Sequence, residues 1–194
     1  MVQCDLNNAG RWTELSNGDR IWQLKFSCPD ALSINFLYDD FYMPKDALLY
    51  VYSGDRKQVI GAFGSQNNRP TNKFATEIIF DDEAIIEYYE PAAQRGLGRL
   101  SIGQVSHGYR SLAENGSEGL NDAGSCQVNV NCSPEGDNWQ NEKKSVARIV
   151  INGSSLCTGA LINNTAQDCK PYFLTANHCI DPTYDAVTNP DMSN

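Results

Sequence analysis

Leu156-Cys-Thr-Gly-Ala-Leu-Ile-Asn-Asn-Thr-Ala-Gln-Asp-Cys-Lys-Pro-Tyr-Phe-Leu-Thr-Ala-Asn-His-Cys179 is the stretch whose reading decides the fold and the chemistry of this chain. It opens with a strand-like Cys-x-Gly-x-Leu-Ile segment, crosses a polar turn, and re-enters an apolar run at Pro171–Thr175 that ends in Thr-Ala-x-His-Cys. Short apolar runs bounded by turn residues read as strands, so His178 follows a strand directly. A histidine in that place has two readings. It is either a structural residue hydrogen-bonded through one ring nitrogen, or a proton-transfer group, because a neutral imidazole titrates near working pH. Thr175 and Ala176, both small, allow close packing beneath a reactive group and favour the second.

With those residues in place, the stretch resembles the histidine-bearing half of a trypsin-like serine protease. The resemblance implies that His178 is the general base. It also implies a disulfide between Cys157 and Cys179 that ties the backbone beside the histidine to the preceding strand. In such enzymes the base takes the proton of a serine hydroxyl and returns it to the leaving amine, while an aspartate fixes the imidazole tautomer.

Working outward, the 194 residues are 41% hydrophobic and 20% charged, enough apolar material for a globular core in one large or two small domains. No run approaches the eighteen or so uninterrupted apolar residues of a membrane span. A net charge of −9 argues against nucleic-acid binding, which needs basic patches; acidity here serves solubility. Seven cysteines suit an exported protein better than a cytosolic one. Cys126 and Cys132 stand too far apart for a Cys-x-x-Cys knuckle and His107 has no cysteine nearby, so no metal and no cofactor is expected. The odd count leaves a thiol without a partner, and Met1-Val2-Gln3-Cys4 starts in polar sequence with no secretory signal. Together these are expected of a fragment of a secreted protein.

Residues 1–110 read as an all-β unit, a β-sandwich. Trp22, Leu24 and Phe26 share one face of a strand at Ile21–Phe26; Leu32, Ile34, Phe36 and Tyr38 share one face at Ala31–Tyr38. Further strands are predicted at Leu48–Tyr52, Val59–Phe63, Phe74–Phe80, Ala84–Tyr89 and Arg99–Val105, separated by turn signals such as Asn17-Gly18-Asp19 and Ser53-Gly54-Asp55. No catalytic constellation falls here, and the aromatics read as packing; a carbohydrate-binding module is the rival reading of the unit. Residues 111–125 are poor in apolar and rich in flexible residues, the composition of an exposed linker that proteases nick. Beyond it, strands are expected at Val146–Asn152, Leu156–Ile162 and Pro171–Thr175, with Gly153-Ser154-Ser155 as the first turn.

The resemblance then narrows. Gly124-Ser-Cys126-Gln-Val-Asn-Val-Asn-Cys132 with Pro134-Glu-Gly-Asp137, and Cys157 through Asn163-Asn-Thr-Ala166 to Tyr172-Phe-Leu-Thr-Ala-Asn-His-Cys179, resemble the start of the mature enzyme in the bacterial lysyl endopeptidase family. Asn17-Gly-Asp-Arg-Ile-Trp22, Gly61-Ala-Phe63, Glu87-Tyr-Tyr-Glu-Pro91 and His107-Gly-Tyr-Arg110 are similar to the pro-region that precedes such proteases. The resemblance implies a precursor made of a pro-region, a processing segment at 111–125, and, from 126 to 194, the first part of a trypsin-like β-barrel. It also implies cleavage after Lys or Arg in protein or peptide substrates, and a pro-region that packs on the protease domain.

The departures are as definite. No Gly-x-Ser-Gly sequence is present to supply the serine nucleophile, and Asp181, Asp185 and Asp191 are not at positions matching the catalytic aspartate. Cys126 and Cys132 would bond partners outside this sequence; Cys4, Cys28 and Cys169 have no partner that the resemblance names. The expectation is thus an inactive fragment of a protease precursor. The reading from another class is a non-catalytic secreted β-sandwich binding module with an appendage.

Overall fold

The structure, a computed structural model, describes residues 2–109, 128, 130–151 and 155–180. The fold is all-β, and the chain divides into two units, Met1–Arg110 and Ser111–Asn194. Among the described residues no helix is long and apolar enough to cross a membrane.

In Met1–Arg110 the strands are β1 (Cys4–Asp5), β2 (Arg11–Glu14), β3 (Arg20–Ser27), β4 (Ser33–Tyr42), β5 (Leu48–Ser53), β6 (Val59–Phe63), β7 (Phe74–Ala75), β8 (Glu83–Glu90) and β9 (Arg99–Gly108). They form two antiparallel sheets, ordered β1-β9-β4-β7 and β2-β3-β8-β5-β6. One core joins them: Ile34, Phe36, Phe41, Leu100 and Ile102 from the first sheet meet Trp22, Leu49, Val51, Ile86 and Tyr88 from the second. Phe26 and Phe36 touch from opposite sheets with ring centroids 5.1 Å apart, and Phe63 meets Phe74 edge-on at 4.9 Å. Each such side chain removed from water contributes about 1.5–3 kcal/mol.

The alternation that marks the strands has direct physical content. In β8, Ala84, Ile86, Tyr88 and Glu90 are buried while the residues between them are half-exposed, as a period of two requires when one face meets a core. Trp22 is anchored by its indole N–H, which donates to the Ala9 carbonyl at 2.8 Å. Gly10 makes that possible: its φ is 71°, and a Cβ there would lie 2.6 Å from the Trp22 ring.

Several sequence expectations are corrected. β1 and β2 were not foreseen, since two- and four-residue strands carry too little periodicity to register. Phe74–Phe80 is not one strand: pairing covers Phe74–Ala75, and beyond it only an isolated bridge joins Ile79 to Ile34. Leu32 lies outside β4 and is exposed. β4 is also buried on both faces at its start, Ser33 and Asn35 included, so its burial does not alternate there.

In Ser111–Asn194 the described residues form a three-stranded antiparallel meander, β10 (Val146–Ile151), β11 (Ser155–Ile162) and β12 (Tyr172–Thr175), preceded by 3₁₀ turns at Asp137–Trp139 and Glu142–Ser145. It is an open sheet; no closed barrel is present among the described residues. The expected linker 111–125, Cys126, the turn residues Gly153 and Ser154, and Asp181, Asp185 and Asp191 lie outside the described residues.

Candidate active site

The site is built on the β11–β12 pair. Gly159 lies opposite Thr175 and Leu161 opposite Phe173, and the Phe173 ring lies close over Gly159. A Cβ at that position would stand 2.3 Å from the ring and 2.6 Å from the Leu174 carbonyl oxygen. The glycine of the Cys-x-Gly segment therefore answers to close backbone approach, the use of glycine that costs least where a second chain must pass near. Thr175 adds a cross-strand tie, its hydroxyl donating to the Thr158 carbonyl at 2.9 Å.

From Thr175 the chain leaves the sheet through extended Ala176 into a single 3₁₀ turn, Asn177–Cys179. The turn is closed by the Cys179 N–H on the Ala176 carbonyl and the Ile180 N–H on the Asn177 carbonyl, both at 3.0 Å. His178 is thereby turned outward and exposed, while Cys179 is buried. Cys179 bonds to Cys157 on β11, their Cα atoms 6.2 Å apart. The bridge runs from the residue next to the histidine to the neighbouring strand, so the turn carrying His178 is held at both ends, by the β12 ladder and by sulfur.

One ring nitrogen of His178 lies within 4.8 Å of both sulfurs. Three potential metal ligands thus converge, but the disulfide occupies both sulfurs, and zinc is held by thiolates. Only the imidazole remains as a donor. Chemically, the arrangement offers one solvent-accessible proton acceptor at the end of a rigidly held strand.

Of the cysteines with no assigned partner, Cys4, Cys28, Cys132 and Cys169 are unbonded, with Cys132 and Cys169 exposed. Burial, and then the nearby Asp82 carboxylate, push the Cys28 thiol above its ordinary pKa, which keeps it protonated and unreactive.

A further cluster, in Met1–Arg110, was not singled out from sequence. Glu90 is fully buried and lies directly across the β3–β8 ladder from Arg20, whose Nε donates to it at 2.5 Å. Glu90 also accepts from the Gly96 N–H at 3.1 Å and the Tyr88 hydroxyl at 3.3 Å. Burial and the adjacent Glu90 push the Tyr88 hydroxyl well above the usual tyrosine pKa. A signal was available: Glu90 occupies the buried phase of the β8 alternation, and a carboxylate at such a position requires a partner.

The comparisons bear on which chemistry the held histidine serves. Residues 120–192 match the family described as lysyl endopeptidase, C-terminal domain. The lysyl endopeptidase of Pseudomonas aeruginosa is 33% identical over 157 residues, covering 75% of this chain and 33% of that protein. An alignment of that length cannot fit within residues 111–194, so it extends into the amino-terminal unit. No solved structure matches. By these matches the chain is lysyl endopeptidase-like in sequence, and it spans about a third of the length of that curated relative.

Proposed function

We propose that the chain is the leading part of a secreted serine endopeptidase precursor that cleaves protein substrates after Lys or Arg. In this reading residues 1–110 are the pro-region, 111–125 the processing segment, and 126–194 the opening strands of a trypsin-like domain. The pro-region packs on the completed protease domain. The observation that carries the reading is His178, exposed on a turn whose next residue is bonded through sulfur to the adjacent strand, within a segment matched by the lysyl endopeptidase family.

In the full enzyme His178 acts as general base. It withdraws the proton of the serine hydroxyl as oxygen attacks the substrate carbonyl, then gives that proton to the departing amine. Water, deprotonated by the same imidazole, hydrolyses the acyl-enzyme. Holding the turn matters because the ring nitrogen must stay within hydrogen-bond reach of the hydroxyl through both proton transfers. The rigid disulfide lowers the entropy lost in keeping it there.

No residue of 1–194 matches the serine or the aspartate, so the chain alone is expected to hydrolyse no Lys-amide substrate. The test pairs it with a longer form of the protein that contains a Gly-x-Ser-Gly segment. The longer form should cleave Lys-amides, and His178→Ala should lower its kcat by roughly 10³-fold or more with KM little changed. Undiminished turnover in that variant removes His178 from the mechanism. Hydrolysis by residues 1–194 alone that disappears on His178→Ala would reveal a nucleophile within this sequence.

A further inference from the structure

A cleft of about 290 Å³ opens in Met1–Arg110 where the two sheets meet, and it takes residues from both. Asp5, Asp40 and Arg99 come from β1, β4 and β9; Trp12, Arg20 and Glu90 come from β2, β3 and β8. It is built around two arginines held in the same manner. Arg20 stacks on the Trp12 ring, its guanidinium carbon 3.7 Å from the centroid, and donates through Nε to buried Glu90. Arg99 lies over the Tyr42 ring at 4.9 Å and donates through Nε to both Asp40 oxygens, at 3.0 and 3.2 Å. Stacking on an aromatic face fixes a guanidinium in place, and in both cases hydrogen bonds use Nε alone. The Nη groups of both arginines make no hydrogen bond, and both residues line the cleft.

Acceptors stand beside them. Asp5 uses Oδ1 to cap the turn that follows it, accepting from the Asn7 and Asn8 N–H groups at 2.7 and 3.0 Å, and its Oδ2 makes no hydrogen bond. The charge pattern then selects the ligand. An anion drawn to the arginines meets Asp5, Asp40 and Glu90, and a cation drawn to the carboxylates meets Arg20 and Arg99. A neutral molecule bearing donors and acceptors on adjacent carbons opposes neither set and satisfies both. The volume accommodates one sugar-sized ring, at the small end of ligand clefts.

We infer that this cleft binds a neutral polyol, a single ring of a carbohydrate, through the Nη groups of Arg20 and Arg99 and the free oxygen of Asp5. The exposed face of Trp12 is already covered by Arg20, so no aromatic platform adds stacking, and the affinity is in the millimolar range. The site belongs to the amino-terminal unit and does not depend on the protease reading.

The test is titration of the full chain, followed through the Arg20 and Arg99 Nε–H and Gly96 N–H resonances, with glucose, galactose and mannose separately, and with citrate and lysine amide as charged probes. At least one sugar should shift these resonances to saturation at millimolar concentration, while both charged probes leave them unmoved. Arg99→Gln, a change at a half-exposed position, should weaken that sugar about tenfold, the loss expected for one well-made hydrogen-bonding group. Arg56→Gln, outside the cleft, should not. No response to any of the three sugars, a stronger response to citrate or lysine amide, or undiminished binding by Arg99→Gln in a chain with unchanged melting, each overturns the proposal.

Discussion

The two units put the same kind of sequence to different ends. In Met1–Arg110, alternating strands meet across a gap that both sheets fill, and Trp22, Phe36, Leu49, Ile86 and Tyr88 are fully buried. In Ser111–Asn194 the strands also carry apolar side chains, yet Val146, Leu156, Ile162, Tyr172 and Leu174 are all exposed, Leu174 at 62%. The registers place these five on one face, with Ala160 between Val146 and Leu174. Buried positions among the described residues of this unit are Gly136, Gly159 and Cys179. Alternation reports which side chains share a face; whether that face is a core depends on a second layer. The amino-terminal unit supplies its own, whereas the carboxy-terminal sheet is held chiefly by its ladders and one disulfide.

The widest separation between the units should come from a core truncation. Phe36→Ala removes a fully buried ring in contact with Phe26, and should cost about 3–5 kcal/mol. The tryptophans allow the loss to be placed: Trp12 and Trp22 lie in the first unit and Trp139 in the second, and the chain has three in all. Urea unfolding monitored in a Trp139→Phe background should lose that amount. The transition seen by Trp139 alone, with Trp12 and Trp22 replaced by Phe, should stay unmoved if Phe36→Ala acts only within its own unit.

The reverse experiment targets the disulfide. The bridge closes a loop of 22 residues, and removing a cross-link of that size should cost about 3 kcal/mol through the unfolded chain. Replacing Cys157 and Cys179 together with Ala should therefore shift the Trp139 transition and leave that of Trp22 in place. An equal shift in both signals would mean that the units unfold as one, and the contrast between them would fail.

How far the sequence disclosed all this follows from the range of each interaction. β3 and β8 were legible because apolar side chains recur at every second residue, and β5 and the β10–β12 meander because short apolar runs are bounded by turn residues. The Cys157–Cys179 pair was legible through its resemblance to a known pattern, not through spacing, since seven cysteines permit many pairings. The short strands β1 and β2 were not legible: β1 is two residues long and set by a partner distant in sequence, Cys4 pairing with Ile102, and β2, four residues hairpinned onto β3, shows no period of its own. The cleft escaped notice for the same reason as β1. Arg20 and Glu90, like Asp40 and Arg99, become neighbours only through long-range antiparallel registers.

The smallest expected effect is the most discriminating for the second unit. Leu174 lies opposite Ala160 on the apolar face of the sheet, and truncation at an exposed position is ordinarily worth no more than about 0.5 kcal/mol. Leu174→Ala should accordingly leave the Trp139 transition almost unchanged, although the side chain has the chemistry of a core residue. The measurement has a second arm, since an open apolar face is also a surface on which chains can associate. Unfolding should be followed at two protein concentrations about a hundredfold apart, because stabilisation by a partner copy rises with concentration. A small loss at both concentrations means that Leu174 packs against nothing in solution. A loss of about 2 kcal/mol or more at both means that it is covered within the chain, and the contrast between the units is then overstated. A loss that appears only at the higher concentration assigns the cover to a second copy.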